Sequence, residues 1–351
     1  MTREDQSITP SSITIAGAGS VGCYVGGCLA LAGRDVTLLG RPDLMHAITV
    51  NGLRITDRDG RDDTLAPGRI STTTDPATAL RRATLVLVTV KSNATPEMAQ
   101  VIARDTPPGE TVVSLQNGTG NAATLQRILG TTARVVPGMV PFNILQSRDA
   151  GDVPHMHRAT SGRVHVAAGM PSLVATLDVP GMRTAAHRDM TAVAWGKLIL
   201  NLNNALNALS GLTLQQQLAD RRWRLILAAQ ADEALAALDA TGIKPARIDR
   251  TNPRLMPFGL RLPNALFKLV SAAAPSIDPQ ARSSMWDDLD RRRPTEVAHL
   301  QGAIIDLAAK AGTDAAMNAR VRDLIRAAEK AKQGAPGLTP EDVAGNIVKL
   351  S

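Results

Sequence analysis

Two different patterns of apolar and polar residues follow one another along the chain. The first half contains short β-branched runs separated by helical patterns, and the runs at 84–90 and 111–115 are almost wholly apolar. Unbroken apolar runs are typical of strands that are covered on both faces, and such strands form parallel sheets. From Asp189 onward, long patterns of helical period dominate and strand signals nearly vanish. The pattern therefore predicts an α/β part followed by a helical part.

The predicted elements place the domain boundary near residue 187. Strands are predicted at 13–16, 35–39, 84–90, 111–115 and 134–136, a small hairpin at 53–60, and further strand segments at 142–145 and 163–166. Helices are predicted at 189–211, 217–241, 283–290, 294–312 and 314–332, with a loop-rich helical stretch at 245–279 and a surface tail at 333–351. We expect a doubly wound, mostly parallel Rossmann domain at residues 1–187 and an all-α domain at residues 188–351.

The first strand runs directly into a glycine-rich loop. Ile13–Ala16 precede the loop and a helical pattern at 24–32 follows it. The loop reads Gly17-Ala18-Gly19-Ser20-Val21-Gly22. Gly17 permits a tight turn, Gly19 lets the backbone approach a pyrophosphate, and Gly22 lets the helix lie close to the strand. A glycine-rich turn without a ligand is the alternative, but the strand, loop and helix in this order favour a dinucleotide-binding site.

The end of the second strand indicates which dinucleotide is bound. About 20 residues after such glycines, NAD sites carry Asp or Glu against the ribose hydroxyls, whereas an arginine accommodates the 2′-phosphate of NADP. Here the strand at 35–39 is followed by Gly40, Arg41 and Pro42, so a guanidinium replaces the carboxylate. A guanidinium binds phosphate in a bidentate manner. A solvated surface arginine is the alternative, and the missing acid favours NADPH.

The composition fits a globular protein with small anionic partners. Of the 351 residues, 44% are hydrophobic and 20% are charged, and the formal net charge is +7. A positive balance suits small anionic molecules such as NADPH. A positive balance also suits nucleic acid. However, aromatic residues make up only 2% of the chain and no nucleic-acid module is recognisable, so nucleic-acid binding is a less favoured function than binding of small anionic molecules. The run Arg291-Arg292-Arg293 is interpreted as a solvated helix end.

The sequence predicts neither a disulfide, nor a metal site, nor a membrane span. Cys23 and Cys28 lie five residues apart on the predicted first helix, where they do not face each other, and such sparse cysteine usage fits a reducing cytosol. His155 and His157 are interpreted as solvent-facing strand positions, because no third ligand lies nearby. Residues 1–12 are unlike a signal peptide, and the apolar stretch behind them is too short for a membrane span. We therefore expect a cytoplasmic protein.

Four polar residues are candidate catalytic or ligand-binding residues. Lys91 and Asn117 follow the two unbroken apolar runs, at strand ends where open parallel sheets bind ligands. Both also fit ordinary turn chemistry, but their shared location favours a function. In the helical part, Lys197 and Asn201 are four residues apart and share one helix face. Because a lysine is costly to bury without a partner, it either serves a function or extends to solvent.

Two further polar positions have simple structural explanations. Ser284 with Asp287 matches a helix capping box. Glu296 falls in the predicted first turn of a helix that has Pro294 near its start, where a carboxylate is favoured in any case. From these residues alone, both positions are assigned to structure.

Taken together, the motifs resemble those of the ketopantoate reductase (2-dehydropantoate 2-reductase) family. Single motifs of this kind are weak, whereas the set occurs in the family's order and spans residues 13–312. The matching segments are Gly17–Gly22, Val90-Lys91, Gln116-Asn117-Gly118, Trp195-Gly196-Lys197 with Asn201, and Ser283-Ser284-Met285 followed by Thr295-Glu296.

The resemblance implies an NADPH-dependent oxidoreductase that reduces 2-dehydropantoate to pantoate. By position, Lys197 corresponds to the family's proton donor, and Glu296 to its acidic partner near the active centre. Substrate binding is implied for Asn117, Asn201 and Ser284. Cofactor binding is implied for Gly17, Ala18, Gly19, Ser20, Val21, Gly22, Arg41, Lys91 and Asn117. The expected partner is a small 2-oxo acid, without nucleic acid or membrane, and a homodimer is left open.

Two departures from the family pattern leave the identity of the substrate open. Ala205 stands where members often carry a second asparagine, and Asn204 is expected to bind substrate in its place after a slip of one residue. Ala281 replaces an asparagine three positions before Ser284. The alternatives are an NADPH-dependent reductase of another 2-oxo acid and a non-catalytic NADPH-binding regulator. The regulator is disfavoured because a sensor needs no proton donor such as Lys197.

Overall fold

The structure, a computed structural model, describes residues 12–249, 251–271 and 280–350. It divides into two compact units, of which the first ends at Met190 and the second begins at Thr191. The first unit alternates strands and helices, and the second is built from helices. The predicted combination of a mostly parallel α/β domain with a helical domain is therefore confirmed.

Within the part of the chain that the structure describes, the strands lie in the first unit. They are β1 (Ile13–Ala16), β2 (Val36–Leu39), β3 (Leu53–Asp57), β4 (Asp62–Leu65), β5 (Ser71–Thr73), β6 (Leu85–Val88), β7 (Thr111–Ser114), β8 (Arg134–Met139), β9 (Ile144–Arg148), β10 (Pro154–Arg158), β11 (Val164–Ala167) and β12 (Thr184–His187). The helices of this unit are α1 (Ser20–Leu31), α2 (Pro42–Asn51), α3 (Pro76–Leu80), α4 (Thr95–Asp105), α5 (Asn121–Leu129) and α6 (Pro171–Leu177), with short 3-10 helices at Ser92–Ala94 and Ala150–Asp152.

One eight-stranded sheet has the order β12-β11-β8-β7-β6-β1-β2-β5. Neighbours from β5 to β8 run parallel, and the sheet changes direction only between β8 and β11. β1 lies between β2, which follows it in the chain, and β6, which lies on its other side. The strand order thus reverses at β1, and the carboxyl ends of β1 and β6 border the crevice in which open α/β sheets bind their ligands.

Alternate residues of the buried strands face two separate cores. Leu87 packs into the core that contains α1, α2 and α6, whereas its neighbour Val88 packs into the core that contains α3, α4 and α5. A polar residue in such a strand needs a partner, and the hydroxyl of Thr14 donates to the carbonyl oxygen of Ala79 at 2.5 Å. Burial on both faces explains why the sequence shows unbroken apolar runs here.

A second sheet of four strands has the order β4-β3-β10-β9. Its β3–β4 pair is the predicted hairpin. His155 and His157 lie on β10 as predicted, but they are half-buried rather than solvent-facing. Each imidazole lies 2.7 Å from the Thr56 hydroxyl of the neighbouring strand, which draws both rings onto the sheet. Among the described residues, no group of three His, Cys, Asp or Glu side chains could hold a metal ion.

The second unit packs its helices around one apolar core. The helices are α7 (Met190–Asn201), α8 (Asn203–Ser210), α9 (Leu214–Ala219), α10 (Arg221–Ala240), α11 (Met256–Arg261), α12 (Asn264–Ser271), α13 (Ser284–Asp290), α14 (Gln301–Ala311), α15 (Ala316–Ala331) and α16 (Pro340–Ala344), with a 3-10 helix at Val297–His299. Residues 272–279 of the predicted loop-rich stretch lie outside the described residues. None of the helices described for this chain is both long and apolar enough to cross a membrane.

Three predicted helices are interrupted in the structure. The predicted helix at 189–211 breaks at Leu202, and the one at 217–241 breaks at Asp220, whose side chain caps α10. The helix predicted at 294–312 begins only at Gln301, after the separate 3-10 turn. The breaks follow from polar side chains that bind backbone groups, a competition that hydrophobic periodicity does not reveal.

A glycine in α7 lets another segment of the chain approach the helix closely. A Cβ atom added to Gly196 would collide with the carbonyl oxygen of Ala246. The amide of Ala246 donates to the carbonyl oxygen of Ala192 at 2.8 Å, one helical turn before Gly196. The backbone around Ala246 therefore lies directly against the helix face beside Lys197.

We expect Gly196→Ala to destabilise the protein by about 1–3 kcal/mol, because a new methyl group must displace packed backbone. Gly259→Ala is the matched control, since Gly259 is also helical but has no atom within 4 Å of an added Cβ. That control should be neutral or stabilise the protein by up to about 1 kcal/mol. Urea unfolding monitored by circular dichroism measures both changes. Equal stability of the two variants would contradict the close contact.

Candidate active site

The glycine-rich loop is clamped between two strand ends. The carbonyl oxygen of Leu39, the last residue of β2, accepts the amide proton of Gly17 at 3.1 Å. Gly17 has φ +102°, and an added Cβ would lie 2.6 Å from the nitrogen of Val90. An added Cβ on Gly22 would lie 2.6 Å from the hydroxyl of Thr89. Both glycines are therefore required by the packing of the protein itself.

Gly19 is different, because nothing in the protein requires it to be glycine. An added Cβ on Gly19 would meet no atom within 4 Å, and its φ of −91° is accessible to any residue. Gly19 is the N-cap of α1, which has no side-chain cap and no acidic residue in its first turn. The start of α1, at Ser20 and Val21, thus offers amides and a positive helix end to an anion. These features fit the pyrophosphate of a nicotinamide dinucleotide.

Arg41 lies beside this loop. It is the N-cap of α2, directly after β2, and its side chain is exposed. Burial raises the pKa of the Cys23 thiol in α1 to about 12, while the positive charge of Arg41 acts in the opposite direction. The guanidinium therefore lies within electrostatic reach of the start of α1. An added Cβ on Gly40 would lie 3.1 Å from the carbonyl oxygen of Ala18 and 2.8 Å from the end of the Met45 side chain, so a side chain before Arg41 would be tightly packed.

A buried hydrogen-bond network fixes the two loops that carry Lys91 and Asn117. The amide of Gln116 donates to the carbonyl oxygen of Val90 at 2.9 Å and to the hydroxyl of Thr95 at 2.7 Å. The hydroxyl of Ser92 donates to the carbonyl oxygen of Asn117 at 3.0 Å. The backbone on either side of Lys91 is thus tied to the backbone beside Asn117. Both residues are half-buried, and both lie at the carboxyl edge of the sheet.

Lys197 of the second unit has a strongly lowered pKa. It is half-buried on α7, and Asn201, four residues later, is buried on the same helix. Loss of water lowers the pKa of the Lys197 ammonium to about 8, and the negative charge of Asp249 acts in the opposite direction. A lysine with this pKa holds a proton at neutral pH and releases it easily. It is suited to general acid catalysis.

The helix break after Asn201 has an identifiable cause. Gln301 is fully buried, and its side-chain amide donates to the carbonyl oxygen of Leu202 at 3.1 Å. The amide of Leu202 donates to the carbonyl oxygen of Ile199 at 3.3 Å, three residues earlier, so the last turn of the helix is tighter than an α-helical turn. Gln301 therefore connects the start of α14 to the point where α7 ends. This residue was missed by sequence reasoning, because a glutamine in a helical pattern does not indicate burial.

The predicted capping role of Ser284 is wrong. The N-cap of α13 is Ser283, whose hydroxyl accepts the amide proton of Trp286 at 3.1 Å. Ser283 is buried and donates its own hydroxyl proton to the carbonyl oxygen of Asn204 at 2.9 Å. Ser284 is exposed and has no part in the cap. The structure thus holds Ser284 close to Asn204 and leaves its hydroxyl available to a ligand.

Asn207 is a second residue that sequence reasoning missed. It is fully buried, and its side-chain oxygen accepts the amide proton of Ser283 at 2.8 Å. Its side-chain nitrogen donates to the carbonyl oxygen of Leu212 at 3.0 Å. It lies three residues after Asn204 on the same helix, and this spacing is the only signal the sequence offers. Ala205 and Ala281, the two departures, are both buried.

The sequence predicts Glu296 in the first turn of an α-helix, and this prediction is wrong. Glu296 is half-buried and precedes the 3-10 turn Val297–His299, and its carbonyl oxygen accepts the amide protons of His299 at 2.9 Å and Leu300 at 3.1 Å. The preceding residue, Thr295, donates its amide proton to Glu329 of α15 at 2.6 Å. Glu296 therefore sits on a short segment that is pinned at both ends.

The predicted site residues thus fall into two groups. In the first unit, the structure brings the glycine loop, Arg41, Lys91 and Asn117 to one edge of the sheet. In the second unit, α7 carries Lys197 and Asn201. The hydrogen bond from Ser283 to Asn204 connects α13, which begins at Ser284, to α8. Glu296 lies shortly before α14, whose first residue, Gln301, binds the backbone where α7 ends. Each unit therefore carries a preformed part of the predicted machinery.

A Rossmann sheet with a glycine loop at its switch point, followed by a helical unit with a perturbed lysine, defines an oxidoreductase that uses a nicotinamide cofactor. Two family models match the chain, "Ketopantoate reductase PanE/ApbA" over residues 13–169 and its C-terminal counterpart over residues 189–329. The chain belongs to the ketopantoate reductase family, whose substrates are small molecules.

Individual relatives agree with this assignment. A 2-dehydropantoate 2-reductase of Halobacterium salinarum is 29% identical over 335 residues, which cover 91% of this chain and 99% of the relative. The crystal structure of a PanE/ApbA family ketopantoate reductase from Ralstonia eutropha has a TM-score of 0.75 at 27% identity and covers 92% of this chain and 99% of that one. D-mandelate dehydrogenase with NADH and anilino(oxo)acetate shares the fold, with a TM-score of 0.71 at 17% identity and coverage of 92% and 99%.

We expect Gly19→Ala to weaken binding of the nicotinamide dinucleotide at least tenfold, because a methyl group would occupy the space beside the start of α1. Stability should change little, since the added Cβ meets no protein atom. Gly22→Ala is the matched comparison and should lose stability, because its Cβ would press on Thr89 and on the Gly17 carbonyl oxygen. Titration calorimetry and thermal unfolding separate the two effects. Normal cofactor affinity in Gly19→Ala would contradict this assignment of the loop.

Proposed function

We propose that this protein reduces 2-dehydropantoate to pantoate, with NADPH as the cofactor that supplies the hydride to the C2 carbonyl carbon. The single observation that carries the proposal is the half-buried position of Lys197 on α7 of a ketopantoate reductase family member, where burial lowers its pKa to about 8. Reduction of a carbonyl places negative charge on its oxygen, and this oxygen needs a proton. A partly desolvated ammonium stabilises that charge and then delivers the proton.

The remaining residues of the second unit would orient the substrate. The hydroxyl of Ser284 and the amides of Asn201 and Asn204 suit the carboxylate and hydroxyl of 2-dehydropantoate, which offer acceptors and one donor. Glu296 would accept a hydrogen bond from the substrate hydroxyl. The buried contacts of Ser283 with Asn204 support such a role, because they restrict the motion of the groups on either side. Restricted binding groups lower the entropic barrier of the reaction.

In the first unit, Asn117 would contribute a further amide to the substrate, and Lys91 would neutralise charge where cofactor and substrate meet. Gly17–Gly22 would hold the pyrophosphate, and Arg41 would bind the 2′-phosphate of NADPH. The exposed Arg41 just after β2, with glycine rather than an acidic residue before it, supports NADPH over NADH. A regulator without catalysis would need neither the perturbed Lys197 nor the substrate amides.

The second candidate function keeps the chemistry and changes the acid. Ala205 and Ala281 are buried, so two positions at which the family pattern has amides offer no polar group here. A site with fewer side-chain amides would suit a 2-oxo acid whose side chain is more apolar than that of 2-dehydropantoate. D-mandelate dehydrogenase, a protein of the same fold, was solved with anilino(oxo)acetate. NADPH oxidation measured across a panel of 2-oxo acids decides between the two functions by the highest kcat/KM. The oligomeric state stays open, with a homodimer as one prediction.

We expect kcat/KM to be constant below pH 8 and to fall about tenfold per pH unit above it. The sign follows from the role of Lys197, because the protonated form is the donor and is lost as the pH rises through its pKa of about 8.

Lys197→Ala should lower kcat about 10²–10⁴-fold, as expected for loss of a general acid. Lys310→Ala, which removes an exposed lysine of α14, is the control and should behave like the wild type. Near-normal turnover of Lys197→Ala would refute the assignment.

We expect Arg41→Ala to raise the Kd for NADPH about 10–100-fold, since a hydrogen bond to a charged group contributes about 1.5–3 kcal/mol. The Kd for NADH should remain unchanged, because NADH has no 2′-phosphate. Arg69→Ala, at an exposed arginine before β5, controls for the change in net charge. Fluorescence titration with each nucleotide provides the comparison. An equal loss of affinity for both would show that Arg41 does not bind the phosphate.

A further inference from the structure

The arginine run at 291–293 lies at the end of α13, and Arg291 and Arg292 are exposed, as predicted for a solvated helix end. Arg291 pairs with Asp287 one turn earlier on α13, with 2.9 Å between Nε and Oδ1. Arg292 and Arg293 instead line a cavity of about 220 Å³ between the end of α13 and the end of α15. Lys332, the residue that terminates α15, lines the same cavity.

Two of these cations are held in an unusual backbone conformation. Arg292 and Lys332 both have φ +54°, the left-handed region that glycine normally occupies at a helix end. A residue with a Cβ is disfavoured there relative to glycine. Within the described part of the chain, neither Arg292 nor Lys332 has a carboxylate within ion-pair distance. Two helices thus end in strained cations that face one cavity.

The rest of the cavity lining is partly apolar. Leu289 and Ala328 are buried, and they line the cavity together with Pro294. The one carboxylate is Glu329, which accepts the amide proton of Thr295 at 2.6 Å. The cavity is smaller than the roughly 300–1,000 Å³ typical of drug-sized ligands. Its lining therefore suits a small molecule with an anionic head and a short aliphatic body.

We propose that the cavity between α13 and α15 binds a small organic carboxylate, with Arg292 and Lys332 holding its charge and Leu289 and Ala328 holding its aliphatic part. Guanidinium groups bind carboxylates through paired hydrogen bonds. The site also borders the segment that carries Glu296, since Glu329 binds the backbone of Thr295 directly before it. A bound carboxylate would therefore act on the position of Glu296, and this consequence rests on the proposed function.

The binding test uses 3-methylbutanoate as the probe and 3-methylbutanamide as its uncharged counterpart, by titration calorimetry of the full chain at low ionic strength. The wild type should show a binding event with the carboxylate that is absent with the amide. The double variant Arg292→Gly with Lys332→Gly should lose that event, or raise its Kd at least tenfold. Both glycines fit the local backbone, so this variant should fold at least as well as the wild type. Lys330→Ala, on the same helix but outside the lining, should retain the event.

Three results would overturn the proposal. These are no binding of 3-methylbutanoate at millimolar concentration, equal binding of the acid and the amide, and undiminished binding in the double glycine variant. Inorganic phosphate provides a further comparison. If phosphate bound and 3-methylbutanoate did not, the proposed role of the apolar lining would be contradicted. The titration contains neither cofactor nor turnover, so its outcome is independent of whether the chain reduces 2-dehydropantoate.

The coupling to Glu296 has its own measurement. Saturating 3-methylbutanoate should change kcat/KM in the wild type and in Lys330→Ala by the same factor. The double glycine variant should lack this change, apart from any competition at the active site, which all three proteins share. An identical response of the three proteins would exclude the coupling without affecting the binding result.

Discussion

Close backbone contacts at two glycines fix the position of the loop and the helix that carry proposed site residues. Gly17 lets the first strand end lie against Val90, and Gly196 lets the chain around Ala246 lie against α7. A side chain at either position would collide with backbone atoms, which cannot rotate away as a side chain can. The first contact places the glycine loop beside Lys91. The second places the chain around Ala246 against the helix that carries Lys197, whose pKa is lowered by burial.

Buried polar groups then hold the functional loops in one arrangement. Gln116, Asn207 and Gln301 each bind a backbone group next to a proposed site residue, rather than a ligand. Such bonds are expensive to break in a buried setting, because the freed group finds no water. The proposed catalytic residues therefore lie on backbone that is fixed before any ligand arrives. This arrangement is typical of sites that act by electrostatic preorganisation.

Hydrophobic periodicity predicted the fold class, because burial on both faces of a parallel strand and on one face of a helix leaves direct marks in the sequence. The glycine loop, Lys91 and Asn117 could also be predicted, since strand ends and GxGxxG carry local signals. The break at Leu202, the cap at Ser283 and the 3-10 turn after Glu296 could not. Each depends on a hydrogen bond to a residue distant in the chain or on a one-residue shift of a cap, which a single sequence does not encode locally. The role of Arg292 and Lys332 was hidden for the same reason, because their cavity joins two helix ends that are 40 residues apart in the chain.

The proposed reaction depends most on the proton of Lys197, and the pKa of this residue can be measured without any assay of turnover. The chain contains eight lysines, so reductive ¹³C-methylation gives few NMR signals, and Lys197→Arg identifies the one of interest. We predict that this signal titrates near pH 8, well below the value of about 10.4 for a lysine in a model peptide. Titration of Lys197 near about 10.4 would contradict the desolvated environment and, with it, the proposed proton donor.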